Sequence, residues 1–579
     1  MASTANGSGW EEIAEAMQRH RADTIAALEP TVPEPPTDLA LNVTGIPKEL
    51  LSEEVLAITE TPTECLVSQL ATQELTSTQV TKAFLQRAGL ASKLVNCCTE
   101  LLPERALERA KYLDDYIAET KSPVGPLHGI PISVKEHIGM KGLDLNAGFV
   151  SWVGNVAPDD AIILKLLYKA GAVFYARTTE PQTLMHLETS NNIYGVTVNP
   201  YNTKLTPGGS SGGEGALLGM RGSCLGIGSD IGGSIRSPSA NNGLFGLRPT
   251  AFRLPFAGWE GTMLGNESII PVIGPLSTSL EGVKLFMKSI LDQKPWTIDP
   301  SLVPMPWQTT SLLRQDANGR KKLRIGVLSD DGIVKPHPPI LRGIKSIVEK
   351  LRSHSDFDVI EFPPYRHDEA WRIIASLYFG DGGSEEKEVL ERSGEPWRPL
   401  SNFIIKENPH VKALTVSELW DLTKEREGYK AAYARHWNSV GTDFPSPDDD
   451  TSTLPDALPE GAEDKTVDVL LCPVGPGCAP PLDCARYWAY TAQWNLLDYP
   501  ALVFPTGLQC SSENQVDADY KPRNEKDEYN YKLYDPKTYI DAPISLQLVG
   551  RRYQDEKLIE ALEMIMQAVG LPSEQSPWA

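Results

Sequence analysis

The chain has 579 residues, 41% hydrophobic and 22% charged, an ordinary globular balance that excludes collagen-like, coiled-coil or disordered proteins and implies a large packed core. Its formal net charge of −22 repels phosphate backbones and anionic bilayers, so neither nucleic acid nor a membrane is an expected partner. Eight cysteines without CxxC spacing, no apolar run of ~18 residues and no basic-then-apolar leader point to a cytoplasmic protein with reduced thiols and no structural metal.

Trp10, Ile13, Met17, Ile25 and Leu28 recur at roughly helical spacing and predict an amphipathic helix laid on the body. Glu11, Glu12 and Glu15 argue against its lying on a membrane. Pro30 to Pro36 reads as an extended linker, so residues 1–60 form an N-terminal extension packed on a single domain at 61–579. Ser77 is placed to cap a helix that carries Val80, Ala83 and Phe84 on one side. Residues 129–135 read as a strand, with Ile130, Ile132 and Val134 on one face and Lys135 on the other, at its end.

A helix at 161–170 and a strand at 172–176 follow, then a strand at 323–328 preceded by Arg320, Lys321 and Lys322, a cluster expected in a solvated loop. Polar stretches at 441–464 and 511–535 read as loop insertions, because strand-like runs at 467–471 and 501–504 resume beside them. A strand at 544–549 precedes a helix that Asp555 is placed to cap and that ends at Gly570. Strands alternating with helices imply an α/β fold: a large mixed, mostly parallel twisted sheet covered by helices on both faces.

Residues 208–238 carry the chemistry. Gly208-Gly209-Ser210-Ser211-Gly212 satisfies a G-x-S-x-G spacing, but no strand-like run precedes it, as a nucleophile elbow would need. Asp230-Ile231-Gly232-Gly233-Ser234 follows the apolar run 224–227 and precedes a helix start at Ile235. Glycines before a serine let the backbone turn sharply and aim successive N–H groups into one concavity. From the residues alone, a cup for a developing oxyanion and a phosphate-binding loop are equal readings. His137 invites a serine–histidine–aspartate scheme, yet its place two residues past Lys135 reads as a bystander on the strand or in the next turn. Leu184, Met185 and Trp259 are candidates for an acyl-pocket lining, but scattered Met and Trp residues read first as core.

The segment resembles the signature of the amidase-signature family, Gly-Gly-Ser-Ser-Gly-Gly followed by Asp-x-Gly-Gly-Ser-Ile-Arg-x-Pro at a set distance. Residues 129–135 resemble the family's lysine motif and 246–250 its post-signature turn. The similarity runs from about residue 60 and includes Tyr499-Pro500-Ala501 and 547–550. Leu254-Pro255-Phe256, 303–307 and 337–343 look most like fungal acetamidases and general amidases.

Carried over, the resemblance implies Ser234 as nucleophile, Ser210 as a bridging serine on a cis peptide and Lys135 as base. It further implies an oxyanion hole from the N–H groups of Ile231, Gly232, Gly233 and Ser234, with Asp230, Arg236, Ser211 and Ser229 in support. The reaction implied is hydrolysis of small aliphatic or aryl amides through an acyl-enzyme, with no metal or organic cofactor, in a chain whose dimerisation stays open. A lysine can serve as base only if burial lowers its pKa. An ammonia-passing amidotransferase subunit is disfavoured by the acidic balance and the fungal-amidase-like segments. A non-catalytic binder is disfavoured because Lys135, Ser210 and Ser234 are all present.

Overall fold

The structure, a computed structural model, describes residues 9–316, 318–448 and 465–572. Its centre is one 12-stranded sheet. From one edge the strands run Cys98–Leu101, Val173–Thr178, Pro131–Lys135, Leu225–Asp230, Val272–Ser277 and Phe245–Arg248. They continue Ala501–Gln509, Pro543–Val549, Val469–Pro473, Lys321–Val327 and Phe357–Glu361, with Arg314–Gln315 beside Lys321–Val327. Strands at the centre, such as Leu225–Asp230 and Pro543–Val549, are buried at every position, as a sheet covered on both faces requires.

Parallel pairing forms two blocks. Pro131–Lys135 lies between Val173–Thr178 and Leu225–Asp230, and Lys321–Val327 lies between Phe357–Glu361 and Val469–Pro473. A parallel neighbour needs a crossover, which helix Ile162–Lys169 supplies in the first block and Pro338–Arg352 in the second. Antiparallel pairs join the blocks through the middle of the sheet. The strand–helix alternation is legible in the sequence, whereas these returns in the opposite direction depend on which neighbour each strand finds.

Local chemistry shifts several boundaries. Helix Ser77–Val95 is capped by Thr76, not Ser77, because Thr76 and Gln79 form a reciprocal capping box. Gln554 holds the cap position before Asp555–Val569, and the Asp555 carboxylate instead accepts from Thr250 N and Oγ1, both at 2.8 Å. Gly570 ends that helix in the left-handed conformation, as expected. Lys321 and Lys322 open a strand and pair with Glu560 and Asp356 instead of lying in a loop. The polar stretch 511–535 contains helix Glu525–Leu533, capped by Asn524. That helix lacks an apolar stripe and is anchored by polar contacts such as Asp527 to Lys335 N, so periodicity does not reveal it. Of the expected loop at 441–464, residues 449–464 lie outside the described residues.

Helix Trp10–Ala26 packs Trp10, Ile13 and Met17 against Val150, Ile193 and Tyr194. It also meets the sheet edge, where Thr24 Oγ1 accepts from Leu101 N at 3.1 Å and Arg21 Nη1 donates to Cys98 O at 3.5 Å.

Candidate active site

Two parallel strands bring their C-terminal ends together here. Lys135 closes Pro131–Lys135, while Ser229 and Asp230 close the adjacent Leu225–Asp230. Alternation along the first strand puts Ser133 and Lys135 on the same face. Ser133 Oγ donates to Glu214 at 2.5 Å, and Lys135 Nζ donates to Ser210 Oγ at 2.6 Å. Ser210 stands just before helix Gly212–Gly219, after a cis Gly209–Ser210 bond. Ser234 stands just before helix Arg236–Asn241.

Lys135 is wholly buried. Burial pushes its amine down from 10.5 to about 8, against Glu180, Asp230 and Glu214, which favour the charged form. Two of these carboxyls are weak counter-ions. Burial raises Glu214 to about 8, and burial together with neighbouring Glu136 raises Glu180 well above the usual range. Asp230 differs: burial alone would raise it, but the Arg236 guanidinium and Asn495 hold it down at about 2. The result is an amine beside a hydroxyl whose neutral form, the one a base needs, is a minority at pH 7 and prevails only above about pH 8.

Asp230 organises the glycine loop. It accepts from Gly233 N at 2.9 Å, Ile235 N at 3.1 Å, and Arg236 Nε and Nη2 at 3.1 and 3.0 Å. Carbonyl groups of the loop are tied from outside, Ile231 O by Tyr378 OH at 2.8 Å and Gly232 O by Thr491 Oγ1 at 2.6 Å. Gly233 has φ +131°, and a Cβ there would lie 2.4 Å from Thr491 Oγ1, so only glycine fits. Because the Gly233 N–H is spent on Asp230, it is not free as the oxyanion-hole expectation requires. Among the described residues, the N–H groups of Ile231, Gly232 and Ser234 have no protein acceptor. Ser211 supports both sides: its N–H donates to Ser234 O at 3.1 Å, and its Oγ accepts from Ser229 N at 3.3 Å.

Ser210 and Ser234 line one cavity with an apolar wall that includes Leu184, Met185, Phe256, Trp259 and Met263. Leu184, Met185 and Trp259 thus line this cavity, while Met185 also belongs to a buried core cluster and Leu184 packs against another. His137 also lines it, but its Nε2 is bonded to Ser229 Oγ at 2.9 Å, not to Ser210 or Ser234. Tyr378, Thr491 and Asn495, which brace the loop from more than 140 positions away, carry no sequence signal near the motif. A second cavity, lined by Leu187, Ser237, Asn241, His337 and Tyr539, includes none of Lys135, Ser210 or Ser234.

An enclosed hydroxyl with a depressed-pKa amine and a glycine-built cup of N–H groups is suited to acyl transfer. The family model for amidases matches residues 79–559, and the chain belongs to the amidase family. It is an amide-hydrolysing enzyme. It is 44% identical over 96% of its length to a Schizosaccharomyces pombe protein classed as an amidase, covering 99% of that relative. It is 39% identical to the acetamidase of Emericella nidulans, covering 97% of this chain and 98% of that one. Among solved structures, fatty acid amide hydrolase superposes with a TM-score of 0.88 at 34% identity, covering 97% of this chain and 96% of the other.

Proposed function

We propose that the chain cleaves small aliphatic or aryl amides in the cytoplasm, with Ser234 as nucleophile and Ser210 and Lys135 as the proton relay. The observation that carries the reading is the 2.6 Å contact between the buried Lys135 Nζ and Ser210 Oγ, whose residue lines the same cavity as Ser234.

Ser234 Oγ adds to the amide carbonyl carbon while its proton passes to Ser210 Oγ and the Ser210 proton passes to Lys135 Nζ. The carbonyl oxygen, now an anion, is met by N–H groups of Ile231, Gly232 and Ser234, each worth about 3 kcal/mol of barrier in comparable sites. The tetrahedral adduct then expels the amine, which takes a proton back along the same relay as the C–N bond breaks. Water adds to the resulting ester and passes a proton into the relay; the bond from the acyl carbon to Ser234 Oγ then breaks, Ser234 takes that proton back, and the acid leaves and ionises to the carboxylate. The relay ends each cycle as it began.

The cavity wall of Leu184, Met185, Phe256, Trp259 and Met263 is apolar, which supports a short or aryl acyl group. The test is ammonia release by the purified chain from primary amides of increasing acyl length, with Ser234→Ala as control and a fluorophosphonate probe for the nucleophile. The expected result is turnover of acetamide or benzamide and labelling at Ser234, both lost in Ser234→Ala. Turnover that survives Ser234→Ala overturns the assignment.

A further inference from the structure

We propose that His137 is a positioning residue of the relay: by accepting the Ser229 hydroxyl proton, it turns the Ser229 oxygen toward Lys135 and leaves the amine lone pair to Ser210. This rests on the relay reading above.

The ring is fixed on both sides. His137 Nδ1 lies 3.1 Å from Glu260 O and Nε2 lies 2.9 Å from Ser229 Oγ. A carbonyl oxygen can only accept, so the proton sits on Nδ1 and Nε2 presents a lone pair. Ser229 must therefore donate its single hydroxyl proton to His137. Its oxygen, 3.0 Å from Lys135 Nζ, can then only accept. A neutral amine has two N–H bonds and one lone pair. With one N–H held by Ser229, the neutral amine can turn its lone pair to Ser210 Oγ across the 2.6 Å contact through which the charged amine donates.

The imidazole is held neutral, because burial first and the Lys135 charge second push its pKa well below the usual range. Its orientation is secured by the main chain, with Glu260 N donating to His137 O at 2.9 Å and His137 N donating to Glu180 at 3.2 Å. Trp259 packs edge-on at 5.6 Å. The charged and titratable groups that bear on His137 and Lys135 are Glu180, Glu214, Asp230 and Arg177, in addition to each other.

Without the imidazole, the Ser229 hydroxyl can rotate and donate to the lysine lone pair. That contact competes with Ser210 and stabilises the neutral amine, so the base is blocked and its pKa falls together. A residue that merely packs would lower the rate without moving the pKa.

The experiment follows acetamide hydrolysis by the full chain in His137→Leu, His137→Gln, Ser229→Ala and the His137→Leu/Ser229→Ala double variant. His137→Leu is expected to lower kcat about 10- to 100-fold with KM nearly unchanged and to move the acid limb of kcat/KM to lower pH. His137→Gln, whose amide oxygen can accept from Ser229, restores kcat to within about fivefold and returns the limb. In the Ser229→Ala background, His137→Leu adds less than about a twofold loss. The proposal is overturned if His137→Leu keeps kcat within about twofold, if glutamine rescues no better than leucine, or if the two losses multiply. Should His137→Leu not fold, His137→Ala decides: a kcat loss of about tenfold that shrinks to under about twofold in the Ser229→Ala background supports the arrangement, and one that keeps its size there overturns it. A wild-type chain that releases no ammonia overturns the relay reading itself.

Discussion

Asp230 and Arg236 form an ion pair in which both side chains are inaccessible to solvent, with Nη2 to Oδ1 at 3.0 Å and Nε to Oδ2 at 3.1 Å. The guanidinium also donates to Thr491 O at 2.8 Å and Asn495 Oδ1 at 2.6 Å, so nearly all its donors are used. Arg236→Met is expected to cost about 3–5 kcal/mol, because it strands a buried carboxylate. Urea unfolding measures the loss. An unchanged midpoint would mean that Asp230 finds another partner.

Acid acts on the same pair. Asp230 titrates at about 2 in the fold against an ordinary 3.8, so its contribution is fully present above about pH 4 and is lost as pH falls through about 2. Asp230→Asn should flatten the acid side of the stability profile in that window, read by thermal melts from pH 2 to 5.

Lys135 combines function with a stability cost. Its amine titrates at about 8 in the fold against 10.5 when free, so the unfolded chain binds more protons between those values and stability rises with pH across that interval. Lys135→Met removes a buried amine that must be discharged or carried charged, and should raise Tm at pH 7 while lowering kcat/KM at least about a thousandfold. In the wild-type chain the acid limb of kcat/KM is expected near pH 8, and a limb below pH 6 would point to a different base.

Glu214 shows the opposite sign. Its carboxyl is raised to about 8 in the fold from an ordinary 4.5, so it costs increasing stability as pH climbs from 4.5 to about 8. Ser133 at 2.5 Å and Thr178 at 2.8 Å hold it in place. Glu214→Gln is neutral at every pH, so its Tm advantage over wild type should widen from pH 5 to pH 8. Differential scanning calorimetry reads the slope, and a constant offset would show that the carboxyl ionises freely.

Much of the site was legible because its essential parts are local. The end-of-strand position of Lys135 followed from two-residue alternation, and the turn at Gly232-Gly233-Ser234 from the need for glycine. The part that was not legible is held by distant chain. Thr491 and Tyr378 reach the loop carbonyls across 259 and 147 positions, and Asp230 withdraws the Gly233 N–H that the motif alone would assign to substrate. His137 shows the same limit, since its bond to Ser229 joins residues 92 positions apart. In the fold, the two parallel blocks followed from strand–helix alternation; the antiparallel middle did not, because strand direction depends on which neighbour each strand finds, nor did the polar helix Glu525–Leu533, which has no apolar stripe.

The first helix has a consequence for solubility. Cys98–Leu101 is the outermost strand, and an outer strand offers unpaired backbone groups to any passing chain. Thr24 and Arg21 occupy two of those groups, at Leu101 N and Cys98 O, as a stopper fills an open socket. A version of the protein starting after Ala26 would keep Lys135, Ser210 and Ser234 yet carry a sticky border, and would be expected to form particles detectable by light scattering while still turning over substrate.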